Sequence, residues 1–191
     1  MSDQKRLFLV DAFALIFRGY YAFIKNPRIN SKGVDTSAIM GFMNSLLDVI
    51  KRERPDHLAV CFDKGGSKAR VEAYPAYKAN RDETPDAIKV AVPYIYDILK
   101  AMHIPIMVKE GFEADDVIAT ITKQAEREGA EILICTGDRD SFQLVNEKTT
   151  VLYPKRGVSD LARMTPDAVQ EKYGMSPEQY PDFAALRGDP S

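Results

Sequence analysis

Short apolar runs rich in Val, Ile, Leu and Phe punctuate this chain, and in the stretches between them apolar positions recur every three or four residues. The first rhythm predicts strands buried on both faces, and the second predicts amphipathic helices packed against them. Residues 6–10 read as a first strand that ends at Asp11, and 12–23 continue in a helical pattern. After the turn-forming stretch 26–33, Ile39, Phe42, Met43, Leu46, Leu47 and Ile50 mark one face of a second helix, which Pro55 closes. A second strand follows at 57–62. Pro85 opens a further helix through Ile88, Val92, Ile95, Ile98, Leu99 and Met102, with a kink or break expected at Pro93.

The alternation then continues. Residues 104–108 read as a third strand, Val117, Ile118, Ile121 and Ala125 as one face of a helix ending near Gly129, 131–136 as a fourth strand, 137–140 as a turn and 149–153 as a fifth strand. Past Pro154 the pattern is helical, with Thr165-Pro166-Asp167 as a cap and first turn and a second short helix after Ser176-Pro177-Glu178. Strand then helix, repeated, is the signature of a parallel α/β sheet covered on both faces. The chain's 191 residues, 45% of them apolar, suit one domain with a sizeable core.

Composition narrows the class. No apolar run approaches the roughly 20 residues of a membrane span, and the charged start Met1-Ser2-Asp3-Gln4-Lys5-Arg6 does not read as a signal peptide; a cytoplasmic protein is expected. Cys61 and Cys135 fall inside predicted strands and read as buried, reduced thiols. His57 and His103 each lack a second His or Cys at ligand spacing and read as structural.

Charge is more informative where it clusters. Asp11, Asp63, Asp138 and Asp140 stand just beyond apolar runs, and Glu113-Ala114-Asp115-Asp116 opens a helix. In a parallel sheet the carboxyl ends of the strands converge on one edge, where these seven carboxylates would share a crevice. Two unit charges about 4 Å apart repel by about 4 kcal/mol at an effective dielectric near 20. Such a cluster stays partly protonated or holds cations, and oxygen ligands without Cys or His favour Mg²⁺ or Mn²⁺.

Each acid also has a local explanation, as a helix cap, a macrodipole partner or a turn former. Their conjunction exceeds what capping needs. It matches the demand of two metal ions about 4 Å apart, which promote in-line phosphodiester displacement. Glu113 and Asp116 would share one helix face, with Asp115 pointing about 100° from Asp116. No Gly-x-Ser-x-Gly elbow, phosphate-binding Gly-x-x-x-x-Gly-Lys loop or dinucleotide fingerprint occurs.

The net charge of −2 conceals a basic segment: Lys64, Lys68, Arg70, Lys78 and Arg81 against the single acid Glu72. It reads either as a phosphate-facing surface or as a solvated charged loop. Tyr20, Tyr21, Tyr74 and Tyr77 are open to two readings, stacking on unpaired bases or packing against the core.

Several blocks carry a family resemblance: Leu9-Val10-Asp11 with Arg18, Val60-Cys61-Phe62-Asp63, Tyr74-Pro75-Ala76-Tyr77-Lys78-Ala79-Asn80-Arg81, Gly111-Phe112-Glu113-Ala114-Asp115-Asp116-Val117-Ile118-Ala119-Thr120, Thr136-Gly137-Asp138-Arg139-Asp140 and Leu186-Arg187-Gly188-Asp189-Pro190-Ser191. In order and over nearly the whole chain, they resemble the 5′-nuclease domains of bacterial DNA polymerase I, within the flap-endonuclease family. The resemblance implies a PIN-like (Rossmann-like) α/β fold with a mostly parallel sheet and a helical gateway at about residues 64–92. It implies Mg²⁺-dependent cleavage of nicked, 5′-flap or 5′-overhang DNA, including removal of RNA primers, beside a fused polymerase domain; the sequence shows no surplus apolar stripe, so a monomer is expected.

By motif position, Asp11, Asp63, Glu113, Asp115 and Asp116 would hold the tighter metal cluster, with Asp138, Asp140 and Asp189 completing the second. Arg70, Lys78 and Arg81 would contact the scissile phosphate and thread the 5′ strand. The chain departs from the family at Ala69, where an aromatic residue is common, and at Ser191, beyond which the family continues into a helix-three-turn-helix that grips duplex DNA. Without that region weakened duplex binding and reduced activity are expected, so a non-cleaving nucleic-acid-binding or scaffold role is the alternative. A phosphatase with Asp11 as nucleophile is disfavoured, because Phe13 stands where such enzymes carry a second Asp.

Overall fold

The computed structural model describes residues 5–78, 83–155 and 160–188. Six strands form one sheet in the order β3-β2-β1-β4-β5-β6: β1 (Arg6–Asp11), β2 (His57–Cys61), β3 (Ile106–Met107), β4 (Glu131–Cys135), β5 (Thr149–Pro154) and β6 (Leu161–Met164). All neighbours pair in parallel except β5 and β6. The α/β class with a mostly parallel sheet is therefore as expected. The chain past Pro154, read from sequence as wholly helical, instead first adds antiparallel β6, and the third strand is shorter than its apolar run.

Period-two alternation splits each central strand between two cores. Phe8, Val10, Val60, Leu133, Cys135 and Leu152 enter one, where α1 (Ala12–Phe23), α2 (Ser37–Glu53) and α4 (Asp86–Ala101) pack. Leu9, Cys61, Ile132, Ile134 and Val151 enter the other, beneath α5 (Ala114–Arg127), α6 (Pro166–Tyr173) and α7 (Tyr180–Arg187). Both cysteine thiols are buried and free, and burial pushes each up to about 12.

Helix ends follow local chemistry. α5 stops in a Schellman turn in which Ala130 N–H reaches the Ala125 carbonyl and Gly129 N–H the Glu126 carbonyl, with Gly129 at φ 84°. Thr165 caps α6 as expected, accepting from Ala168 N–H at 3.3 Å. Pro93 neither breaks α4 nor divides it, since Ile88, Ala91, Ile95 and Leu99 bury one face on both sides of the proline. Residues 137–140, expected as a plain turn, lead into a 3₁₀ helix, Arg139–Leu144. Within the basic segment lies the short helix α3 (Lys68–Ala73), capped by Ser67.

The strand order reverses at β1, whose partners β2 and β4 are reached by crossovers on opposite faces. A crevice opens at such a switch point, outside the carboxyl ends of the strands.

Candidate active site

Asp11 ends β1 and caps α1. Its Oδ1 accepts from Ala14 N–H at 3.2 Å, and its Oδ2 accepts from the Thr136 hydroxyl at 2.9 Å. Thr136 Oγ1 in turn accepts from Asp138 N–H at 3.1 Å, and Asp138 Oδ1 from Asp140 N–H at 2.8 Å. Across the crevice, Asp63, two residues past β2, accepts from Ala114 N–H at 2.6 Å and so ties the β2 end to the start of α5. These acids do act as caps, but the caps also fix them around one cleft of about 940 Å³.

Asp11, Asp63, Glu113, Asp115, Asp138 and Asp140 all line that cleft, together with Lys78. Asp116 does not. It turns to Arg70, whose Nη1 and Nη2 lie 3.0 and 2.7 Å from its two oxygens, and its Oδ2 also accepts from Glu113 N–H. Glu113, only 6% exposed, accepts from Arg70 Nη1 at 3.0 Å, Tyr77 Oη at 3.1 Å and Lys78 Nζ at 2.6 Å. Glu113 and Asp116 thus share a face directed at the basic segment, while Asp115 points into the cleft. Arg81 and Asp189 lie outside the described residues.

Asp115 is the electrostatic centre. Its Oδ1 is buried without a hydrogen-bond partner among the described residues. Burial, then the charges of Asp11, Asp138 and Asp63, push its carboxyl up to about 8 against the pull of Lys78. Asp11 is raised to about 6, by burial first and then by Asp63 and Asp138, despite two hydrogen bonds. Asp116 goes the other way: burial pushes it up but is outweighed by hydrogen bonds from Arg70 and Glu113 N–H.

No three His, Cys, Asp or Glu side chains among the described residues close around a single point. The oxygens of Glu113 and Asp116 are taken by cations, and the remaining acids ring the cleft. An orphaned carboxylate oxygen beside three further acids, with no soft ligand, nonetheless suits a hard divalent cation.

Sequence reasoning did not single out the far wall of the cleft, lined by Arg139, Tyr153, Tyr180, Phe183 and Arg187. Phe142, Tyr153, Tyr173, Tyr180 and Phe183 form a network of ring contacts there, with Phe142 centred 5.4 Å from both Tyr153 and Tyr180. The available signal was the density of aromatic residues between 173 and 183. Of the four tyrosines considered from sequence, Tyr20 packs against the core and Tyr77 binds Glu113, whereas Tyr21 and Tyr74 are exposed. Arg18 lies on α1 and donates to the Asp160 carbonyl.

Comparison with known proteins agrees with this architecture. Residues 6–174 match the family model described as "5'-3' exonuclease, N-terminal resolvase-like domain". DNA polymerase I of Mycobacterium tuberculosis is 48% identical over 185 residues, covering 97% of this chain, and that of Bacillus subtilis 39% over 192 residues, covering all of it. The chain spans only about a fifth of these relatives' length, 20% and 22%. Among solved structures, phage T5 5′-exonuclease with bound divalent zinc ions superposes with a TM-score of 0.72 at 22% identity, over 97% of this chain and 67% of that one. The Rad2 catalytic core in complex with a DNA substrate gives 0.55 at 19%, over 97% and 55%.

Proposed function

The chain belongs to the 5'-3' exonuclease N-terminal resolvase-like domain family, and from that premise we propose that it is a divalent-metal-dependent 5′ nuclease hydrolysing phosphodiesters of nicked or 5′-flapped DNA. The observation that carries this reading is Asp115: a buried carboxylate with one unpartnered oxygen, flanked by Asp11, Asp63 and Asp138 and raised to about 8. Holding that group ionised at neutral pH requires a compensating cation.

Asp11, Asp63 and Asp115 would hold one ion and Asp138, Asp140 and Asp189 a second, with Mg²⁺ or Mn²⁺ favoured by the all-oxygen donor set, whereas Glu113 and Asp116 are engaged by Arg70 and Lys78. When bound, such ions supply Lewis-acid stabilisation of the phosphodiester displacement and lower the pKa of the attacking water. The protein's own groups do the positioning. Arg70 and Lys78 are held at the cleft by Glu113 and Asp116, from where guanidinium and ammonium donors reach a scissile phosphate; Arg81 extends the same segment. The Thr136 hydroxyl and the α1 amide fix the two oxygens of Asp11, so that its lone pairs converge on the cleft.

That the relatives are DNA polymerases supports a DNA substrate and a nuclease acting beside a polymerase domain; the substrate would further include RNA primers, and the protein would act as a cytoplasmic monomer. The test is cleavage of 5′-flap DNA with and without Mg²⁺, by the wild-type chain and by Asp115→Asn. Mg²⁺-dependent cleavage reduced at least about a hundredfold by the substitution is expected. Metal-induced thermal stabilisation with no cleavage would point to a DNA-binding scaffold, and turnover of a simple phosphomonoester instead would sink the nuclease reading.

A further inference from the structure

We propose that Arg139 and Lys172, gathered on the ring of Tyr153, form a second phosphate-binding wall of the cleft, which takes the backbone of the nucleic-acid substrate opposite Arg70 and Lys78. This rests on the nuclease reading and deepens it. Strand order sets the two walls apart. Arg70 and Lys78 lie with Asp63 and Glu113 on the β2 side of β1, whereas Arg139 follows β4 and Tyr153 belongs to β5.

The Arg139 guanidinium carbon lies 5.9 Å from the Tyr153 ring centre, and its Nε donates to Tyr153 Oη at 3.2 Å. Lys172 reaches the same ring from α6, with Nζ 5.6 Å from the centre of Tyr153 and 5.4 Å from that of Tyr173. Two cations therefore converge on one tyrosine. Neither is ion-paired to a carboxylate among the described residues, although Asp138 and Asp140 flank Arg139 in sequence. Both residues are exposed.

A cation–π contact at an exposed site contributes only about 0.5–1 kcal/mol. It orients the cation while sparing its hydrogen-bond donors. Arg139 commits Nε, which leaves the Nη fork that suits a phosphate's paired oxygens. Lys172 also complements the carboxyl end of α6. That role explains a lysine at the position but not its seat between two rings, nor the arrival of Arg139 at the same ring. Two positive charges on one ring, ion-paired to no carboxylate among the described residues, are relieved by an anion, and a nucleic-acid backbone offers one charge per nucleotide along the cleft that Arg139 and Tyr153 line.

The measurement is the salt dependence of 5′-flap DNA binding, by fluorescence anisotropy without divalent cations, for wild type and Arg139→Gln/Lys172→Gln. Each phosphate contact contributes about 0.7–0.9 to the slope of log K against log salt. The double variant should lower that slope by about one to two and weaken binding about tenfold at 0.1 M salt. With Mg²⁺, KM should rise while kcat stays within about twofold. Tyr153→Leu, which removes the shared ring, should give part of the same loss, and Tyr153→Phe less.

An unchanged slope and KM overturn the proposal, as does a fall in kcat at constant KM, which would make Arg139 a support for Asp138 and Asp140. Wild-type cleavage with an unaffected variant overturns this inference alone; wild-type protein that neither binds nor cuts DNA overturns it and the nuclease reading together. If the double variant fails to fold, Lys172→Gln on its exposed helix end gives the same slope test.

Discussion

Asp115 and Arg70 show how one position can be costly to the fold and necessary to the site. Asp115 faces three acids with an unpartnered oxygen, so Asp115→Asn removes a repelled charge while keeping the shape. The variant should be more stable than wild type at pH 8 without metal, by about 2 kcal/mol, and nearly equal to it only below about pH 4, where the carboxyl is protonated in both folded and unfolded chains. Urea unfolding at the two pH values checks this; equal stability at pH 8 would contradict the electrostatic account. Arg70 grips both oxygens of Asp116 and one of Glu113. Because Lys cannot reproduce that planar fork, Arg70→Lys should retain less than about a tenth of wild-type cleavage while folding normally by circular dichroism.

At the scale of elements, α1 and α2 form a close hairpin whose contact point is a glycine pair. A Cβ placed on Gly41 would stand 2.2 Å from the Gly19 Cα, and one on Gly19 would stand 2.9 Å from the Gly41 Cα. Both clashes are with backbone, so neither can be relieved by a rotamer change. Gly41→Ala should destabilise the protein by about 2–3 kcal/mol, since overpacking outweighs the helix-propensity gain of about 1 kcal/mol. Because Asp11 caps α1, separating the two helices also shifts an acid of the cleft. A thermal melt at or above that of wild type would refute the close-packing argument.

The elements differ in how openly the sequence declares them. α1 was legible at both ends, since Asp11 both closes a strand and supplies a cap. The edge strand β6 was not, because Leu161–Met164 is short, only partly buried, and defined by its pairing with β5 rather than by a pattern of its own. The continuity of α4 through Pro93 was likewise hidden: a proline costs an isolated helix about 3 kcal/mol, and only the packed face on either side outweighs it.

For the molecule as a whole, stability and metal binding are coupled through the acids. The folded-state values of Asp11 and Asp115 are raised to about 6 and about 8 from 3.8. Their favourable contribution is therefore complete below about pH 4 and is lost as pH rises through 6 and then 8. Asp116, held below its usual range, contributes in the opposite sense, and its share is lost only in acid. Metal-free protein should thus melt at progressively lower temperature between pH 5 and 8. A divalent ion at a hundredfold excess over its Kd adds about 2.7 kcal/mol, which for a chain of this size raises Tm by about 5–10 °C. Calorimetry with and without Mg²⁺ tests both, and a metal-free Tm that climbs from pH 5 to 8 would contradict the linkage.

The sequence by itself determined the alternation of strands and helices, hence the α/β class, and the placing of acids just beyond strand ends. Both follow from local periodicity and capping chemistry, which a linear chain displays. Helix geometry in the sequence already turned Asp115 away from Glu113 and Asp116, but only the tertiary structure decided what each meets: Asp115 the cleft, Asp116 the Arg70 guanidinium, and Glu113 the groups of Arg70, Tyr77 and Lys78. The aromatic wall with Arg139 and Lys172 emerged there too. These assignments depend on distances between side chains tens of positions apart, and such distances exist only once the sheet has brought its carboxyl ends together.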